Sequence, residues 1–265
     1  MNYTLGFIGC GNMGGALITA ATKTTNGKDI AVCDFDKTKV EKFETQFGVN
    51  SVNSKELAQS SRFVVLGVKP QVMSDVIAEF KEDLKANPNV TIITMAAGLS
   101  ISAIRSFIGF DLPIIRIMPN TPAMLGAGMI LYACSNVNEQ TEQEFLRLFA
   151  KAGKFDKIPE DKIDAASAVS GCGPAFVYAF AEALADGAVE CGIPRDKANL
   201  YAAQTLLGAA EMLLTYGHPA DLKDAVCSPG GTTIAGVHAL EKNGFRNAAM
   251  DAVTAAYKRT LELKK

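Results

Sequence analysis

The first 160 residues alternate between short apolar runs and stretches whose apolar residues recur every three or four positions. The runs "YTLGFIG" (Tyr3–Gly9), "DIAVCDF" (Asp29–Phe35), "RFVVLGV" (Arg62–Val68), "VTIITMAAG" (Val90–Gly98), "PIIRIMPN" (Pro113–Asn120) and "AGMILYAC" (Ala127–Cys134) predict strands. Unbroken apolar character, as in "RFVVLGV", marks a strand covered on both faces. Between the runs the spacing predicts helices. "KTKVEKFETQFG" places Val40, Phe43 and Phe47 on one side and stops at Gly48, a residue that closes helices in the left-handed conformation. Met13–Thr22, Gln71–Leu84, Ser100–Gly109 with Ser100 as cap, and Asn138–Gly153 read the same way. Strands alternating with helices predict an α/β fold with a parallel, doubly wound sheet and right-handed crossovers.

From about Ile163 the pattern changes and no further strand is predicted. Ala175–Cys191 reads as a long helix, with Glu182, Asp186 and Glu190 in one acidic, solvated stripe. Lys197–Thr215 reads as a second helix, charged only at Lys197 and Glu211, and therefore buried nearly all round. Phe245–Leu263 reads as a third, amphipathic helix. About a hundred helical residues with so few charges cannot hide their own apolar surface, so this half is expected to pack against a second copy of itself. The boundary is expected near Pro159–Ile163, giving domains over residues 1–160 and 161–265.

Composition narrows the function classes. The chain has 265 residues, a formal charge of −2 and no tryptophan, which argues against a nucleic-acid or anionic-membrane partner. Its six cysteines form no CxxC pair, and the histidines are His218 and His238 only, so a zinc site is not expected. Free thiols in a reducing cytoplasm are the expected state. No signal peptide is visible, and the uncharged run Ala165–Ala181 is marginal in length and broken by Gly-Cys-Gly-Pro, so a membrane span is not expected either.

The densest chemical signal is "GFIGCGNMGGAL" (Gly6–Leu17), five glycines in twelve residues. Gly9-x-Gly11-x-x-Gly14 follows a strand and opens a helix. In that context Gly9 permits the tight turn, Gly11 lets the backbone approach a pyrophosphate, and Gly14 allows close helix–strand packing. The fold class is accordingly an N-terminal Rossmann-type doubly wound sheet followed by an all-helical dimerisation domain. Asp34 lies twenty residues past Gly14, where an acid bonds the ribose 2′-hydroxyl and favours NAD over NADP. Lys37 and Lys39 lie close enough to meet a 2′-phosphate, and Asp36 can take the acid's place, so the residues alone leave the cofactor open between NADH and NADPH. Lys69 and Pro70 after the third predicted strand, and Met95, Ala96 and Ala97 after the fourth, border the same crevice. Lys69 reads either as a general acid or as a cofactor-positioning lysine.

"CSPGGTTIAGVHALE" (Cys227–Glu241) is the second dense signal. Glycines, hydroxyls and a helix start suit either a carboxylate cradle or a simple capped turn. "VSGCGPAF" (Val169–Phe176) reads as close helix packing. No Ser-His-Asp set, carboxylate pair or GK[ST] phosphate loop is present, and neither histidine is given a catalytic role.

Taken together, "GFIGCGNMGGAL", "LGVKPQ", "MAAG", "RIMPNTP", "SGCGPAF" and "SPGGTT" resemble the pyrroline-5-carboxylate reductase family along essentially the whole chain. The resemblance implies reduction of the cyclic imine 1-pyrroline-5-carboxylate to L-proline with NAD(P)H, more often NADPH. It implies that Ser228, Gly230, Gly231, Thr232 and Thr233 hold the substrate carboxylate, with Thr233 and Ser228 nearest the chemistry and Asn120 nearby. It implies a cofactor site built from Ile8, Gly9, Cys10, Gly11, Asn12, Met13 and Gly14, from Asp34 and Ser54, and from Val68, Lys69, Pro70, Met95, Ala96 and Ala97. Helical domains interlocked as homodimers, and in some members decamers, are implied as well. Asp34 departs from the serine, asparagine or arginine of NADPH-preferring members; if it reads the ribose, Asp34→Ser should shift preference toward NADPH. Two rivals are a β-hydroxyacid dehydrogenase and a non-catalytic nucleotide-sensing dimer. The first calls for a lysine on the long helix, and Ala175–Cys191 has none.

Overall fold

The structure is a computed structural model that describes residues 3–263. The chain forms two compact units, one running through Cys172 and rejoined from Ala256 onward, the other Gly173–Ala255.

In the first unit the order is β1 (Tyr3–Ile8), α1 (Asn12–Ala21), β2 (Ile30–Cys33), α2 (Lys37–Phe47), β3 (Asn50–Ser51), α3 (Ser54–Ser60), β4 (Ser61–Leu66), α4 (Met73–Lys85), β5 (Thr91–Thr94) and α5 (Ile101–Ile108). There follow β6 (Ile114–Met118), β7 (Gly128–Ser135), α6 (Glu139–Leu148), β8 (Gly153–Lys157) and α7 (Glu160–Ser170). The strands make one 8-stranded sheet ordered β3-β2-β1-β4-β5-β6-β7-β8. The predicted helices are present, although α6 ends at Leu148 and Gly153 opens β8 instead of closing a helix. Gly48 closes α2 at φ 65°, and Ser100 caps α5 by accepting from the Ala103 N–H at 3.1 Å.

Three features depart from the expected pattern. β6 and β7 are antiparallel, with Ile115 opposite Cys134, so the sheet is not parallel throughout. The intervening residues 119–127 are too few for a crossover helix, and a 3₁₀ turn at Thr121–Leu125 reverses the chain instead. β3 is a two-residue edge strand and β8, "GKFDK", is the opposite edge. Neither has the apolar signature of a central strand. Charges on an edge discourage pairing with another chain.

Side chains alternate across the sheet. Phe7, Phe63, Val65, Ile93 and Ile115 enter one core layer with Leu17, Phe145 and Phe149. Ile8, Val64, Leu66, Ile92 and Ile114 enter the other with Ile77, Phe80 and Ile104. This period of two on strands buried on both faces is why the runs looked uniformly apolar. α7 begins where the domain boundary was expected, yet it packs with the first unit: Ile163 is buried in the second layer and Asp164 pairs with Arg116 of β6 at 2.6 Å. By length and composition alone, Glu160–Glu190 is long and apolar enough to cross a membrane. Its first turns bury Ile163, Asp164 and Ala168 in the first unit, while most of the apolar stretch is exposed within one chain.

The second unit contains α8 (Gly173–Glu190), α9 (Arg195–Tyr216), α10 (Pro219–Ala225), α11 (Thr232–Lys242) and most of α12 (Phe245–Glu262). Its buried cluster among the described residues is Ala185 of α8 with Ala198 and Ala202 of α9. Small residues let the two helices approach closely but bury little area. Most of α9 is therefore exposed within one chain, contrary to the expectation that it is buried all round. Leu200, Leu207 and Leu214, at seven-residue steps, are 57%, 53% and 71% exposed.

Candidate functional site: a glycine turn and two helix starts

β1 lies at the sheet's switch point, with β2 on one side and β4 on the other. Ligands of such sheets bind beyond the carboxyl ends of these strands. There the chain turns at Gly9, which has φ 103° and whose Cβ, if present, would stand 2.6 Å from the Gly67 carbonyl carbon. No other residue type fits this conformation and this approach. The turn is fastened on both sides: the Gly9 N–H donates to the Cys33 carbonyl and the Gly67 N–H to the Ile8 carbonyl, each at 2.8 Å. A Cβ at Gly14 would collide with the Gly9 carbonyl oxygen, so α1 lies directly on the turn.

Gly11 is the N-cap of α1 and, among the described residues, supplies no side-chain cap. The place its Cβ would take is open to 4 Å. The leading N–H groups of α1 therefore face a gap with the positive end of the helix behind them. Asn12 is exposed and Met13 half-buried. A cleft of about 360 Å³ beside Cys10, Gly11 and Asn12 is lined on its other side by Lys39 and Lys42 of α2. These features fit a dinucleotide pyrophosphate.

Asp34 was expected at a ribose hydroxyl. In the structure its Oδ2 accepts the Cys10 N–H at 2.6 Å and its Oδ1 the Asp36 N–H at 2.8 Å. Asp36 caps α2 by accepting from the Thr38 N–H at 3.1 Å, and the Thr38 hydroxyl at 2.6 Å holds its carboxyl below the usual range. Phe35 between them is fully exposed. Burial, with Asp34 beside it, pushes the Cys10 thiol up to about 12, so it stays protonated at neutral pH.

Beyond β4, Val68 packs on the core, Lys69 is exposed and Pro70 half-buried. Beyond β5, Met95 is half-buried, Ala96 buried and Ala97 exposed. All six follow strands adjacent to β1 or β4, on the carboxyl side of the sheet. Ser54 opens α3, behind Asn53, which caps that helix through the Glu56 N–H. Asn120 was expected near substrate. It is buried, with its Nδ2 donating to the Ser170 carbonyl at 2.8 Å and its Oδ1 accepting the Met129 N–H at 3.1 Å. Its amide is engaged at both ends in tying the β6–β7 connection to β7 and α7.

Arg116 lies outside the glycine-rich motifs and is a further buried charge of the first unit. Its guanidinium, 2% exposed, pairs with Asp164 at 2.6 Å and with Glu160 at 3.4 Å, and Glu160 also accepts the Ile101 N–H at the start of α5. A lone arginine inside "PIIRIM" was the available signal, because a charge in a buried strand needs a partner.

In the second unit, "SPGGTT" forms a turn followed by α11. The Gly231 N–H donates to the Ser228 carbonyl at 3.0 Å, Gly230 has φ 68°, and a Cβ at Gly231 would strike the Ser228 hydroxyl. Gly231 is the N-cap and, among the described residues, brings no side-chain cap. Thr232 and Thr233 are exposed in the first turn. This is a second uncapped helix start with hydroxyls around it. Among the described residues no cluster of three or more His, Cys, Asp or Glu is placed to hold a metal.

A family model for pyrroline-5-carboxylate reductase dimerisation matches residues 160–263, and one for coenzyme F420-dependent NADP oxidoreductases matches residues 4–98. The chain is 40% identical to a pyrroline-5-carboxylate reductase of Escherichia coli, over 100% of both chains. Among solved structures, a Coxiella burnetii pyrroline-5-carboxylate reductase superposes with TM-score 0.91 at 31% identity, covering 100% of both chains. The Plasmodium falciparum enzyme, described with NADP bound, superposes with TM-score 0.89 at 32% identity, covering 100% of this chain and 99% of that one. This chain belongs to the pyrroline-5-carboxylate reductase family. The dimerisation match begins at α7, which in this family member packs into the core of the first unit.

Proposed function

We propose that this chain reduces 1-pyrroline-5-carboxylate to L-proline as an NAD(P)H-dependent oxidoreductase acting on a C=N bond. Family membership along the full chain carries the reading, and the two uncapped helix starts agree with it. NAD(P)H, when bound, supplies the hydride for the imine carbon. The chain's own residues bind and orient. Gly9–Gly14, with Ile8 and the leading N–H groups of α1, hold the pyrophosphate; Val68, Lys69, Pro70, Met95, Ala96 and Ala97 line the nicotinamide side. Ser54 belongs to the ribose side, and Asp34 holds the Cys10 amide of the glycine turn. Ser228, Gly230, Gly231, Thr232 and Thr233 receive the substrate carboxylate on N–H and O–H donors at the start of α11, which fixes the ring face. Thr233 donates to the carboxylate or contacts the ring nitrogen. Asn120 acts through its two anchored bonds, by setting the course of the β6–β7 connection. Reduction consumes one hydride at carbon and one proton at nitrogen, and an imine that arrives protonated supplies the latter.

The domains that carry these roles are residues 1–160 for the dinucleotide and 161–265 for substrate and dimerisation. The leucines on α9 and the dimerisation family match support a homodimer; a decamer as the further level of assembly and a place in the cytoplasm belong to the same proposal.

Steady-state reduction of pyrroline-5-carboxylate with NADH and NADPH side by side tests the reading. Thr233→Ala should lower kcat/KM for the imine about tenfold or more, the effect of losing a hydrogen bond to a charged group, while cofactor binding holds. No turnover in a protein that binds NADPH would overturn it.

A further inference from the structure

At the end of β2, two consecutive residues hold two consecutive amides of the glycine turn. The Cys33 carbonyl accepts the Gly9 N–H at 2.8 Å, and Asp34 Oδ2 accepts the Cys10 N–H at 2.6 Å. The second carboxylate oxygen accepts the Asp36 N–H at 2.8 Å, and Asp36 caps α2. One half-buried carboxylate thus joins the turn before α1 to the turn before α2. Both its oxygens are oriented by main-chain donors, and bonds from N–H groups to a carboxylate are the shorter, stronger kind. The Cys10 amide it holds sits between Gly9, at φ 103°, and Gly11, the open N-cap of α1. Releasing that amide would free the segment that presents α1's leading N–H groups.

Building on the dinucleotide reading of the glycine turn, we infer that Asp34 is a positioning residue for the cofactor phosphates, and that it acts equally on NADH and NADPH instead of selecting between them at the ribose 2′ position. This reverses the ordinary reading of an acid at this place in the fingerprint. It also separates two consequences of removing the side chain. A ribose reader, once deleted, shifts preference toward NADPH. A turn clamp, once deleted, weakens both cofactors by the same factor.

Isothermal titration of the full-length protein with NADH and with NADPH distinguishes these for wild type, Asp34→Ala and Asp34→Asn. Asp34→Ala should weaken both cofactors about tenfold, the loss of one charge-assisted hydrogen bond, with their ratio unchanged. Asp34→Asn keeps a carbonyl oxygen for the Cys10 N–H and should recover most of the loss. In turnover, KM for the cofactor should rise while kcat at saturating cofactor holds, which general unfolding would not produce. Hydrogen exchange of residues 8–14 without cofactor should quicken in Asp34→Ala. A ratio that moves toward NADPH would overturn the inference, as would unchanged affinities and exchange. If Asp34→Ala does not fold, Asp34→Ser, which also lacks the carboxylate, carries the same two outcomes in the same titrations. The titrations contain no imine, so a failure of pyrroline-5-carboxylate reduction would leave them standing, and their failure would leave the reductase reading standing.

Discussion

The two units bury their apolar residues in opposite ways. The first closes on itself: its sheet is sandwiched between two core layers rich in Phe, Ile, Val and Leu, with Phe7, Phe63, Phe80, Phe145 and Phe149 almost wholly enclosed. The second is more apolar along its helices, yet its enclosed cluster among the described residues is three alanines, while Leu200, Leu207, Leu214 and Tyr216 face outward. The first unit carries its stability in its own chain. The second is shaped to be finished by another surface, so its stability should depend on protein concentration.

The largest effect should come from breaking the self-contained core. Phe145 touches Tyr132, Phe149 and Phe155 through tilted and edge-on ring contacts at 5.4 to 5.7 Å. Phe145→Ala should cost roughly 3–5 kcal/mol, read by denaturant unfolding, and the cost should be the same at low and high protein concentration. A cost that vanished on dilution would place this core's stability in an interface and undo the contrast.

Next comes the leucine stripe. Leu207 is half exposed, so Leu207→Asp disturbs little within one chain, but a charge in an apolar interface between copies is strongly unfavourable. Sedimentation velocity should show assembly lost, with the first unit still folded by its unfolding transition. An unchanged sedimentation coefficient would show that this stripe is not the surface that completes the second unit.

The same contrast explains what could be read from the sequence. Core strands were legible because burial on both faces writes a continuous apolar run. β8 was not, since an edge strand of "GKFDK" buries little and keeps its charges. The antiparallel turn of β7 was hidden because apolar pattern is blind to strand direction; only the short residues 119–127 recorded it. The helix starts at Gly11 and Gly231 were legible from local glycine chemistry. The partners of Asp34 and Asn120 were not: Cys10 lies 24 positions from Asp34, and Ser170 lies 50 from Asn120. Spacing named the residues but could not say which way each side chain turns. α9 misled for the reason the comparison gives, because an apolar helix demands burial without saying in which chain.

The smallest effect lies in thiol chemistry. Cys10 is 4% exposed beside the glycine turn, and burial lifts its pKa from 9.0 to about 12. Cys191, at the end of α8, is exposed. Only the thiolate is alkylated, so at pH 8 the shift alone reduces the reactive fraction of Cys10 about a thousandfold relative to an ordinary thiol. The raised value means that reactivity climbs with pH and reaches half its full extent only near pH 12. Iodoacetamide labelling followed by peptide mass spectrometry should therefore mark Cys191 early and leave Cys10 unmarked while the first unit is folded. Because that protection belongs to one chain's own packing, dilution should not weaken it, and Leu207→Asp should leave it intact. Early labelling of Cys10 in the Leu207→Asp protein would mean that the glycine turn depends on assembly after all.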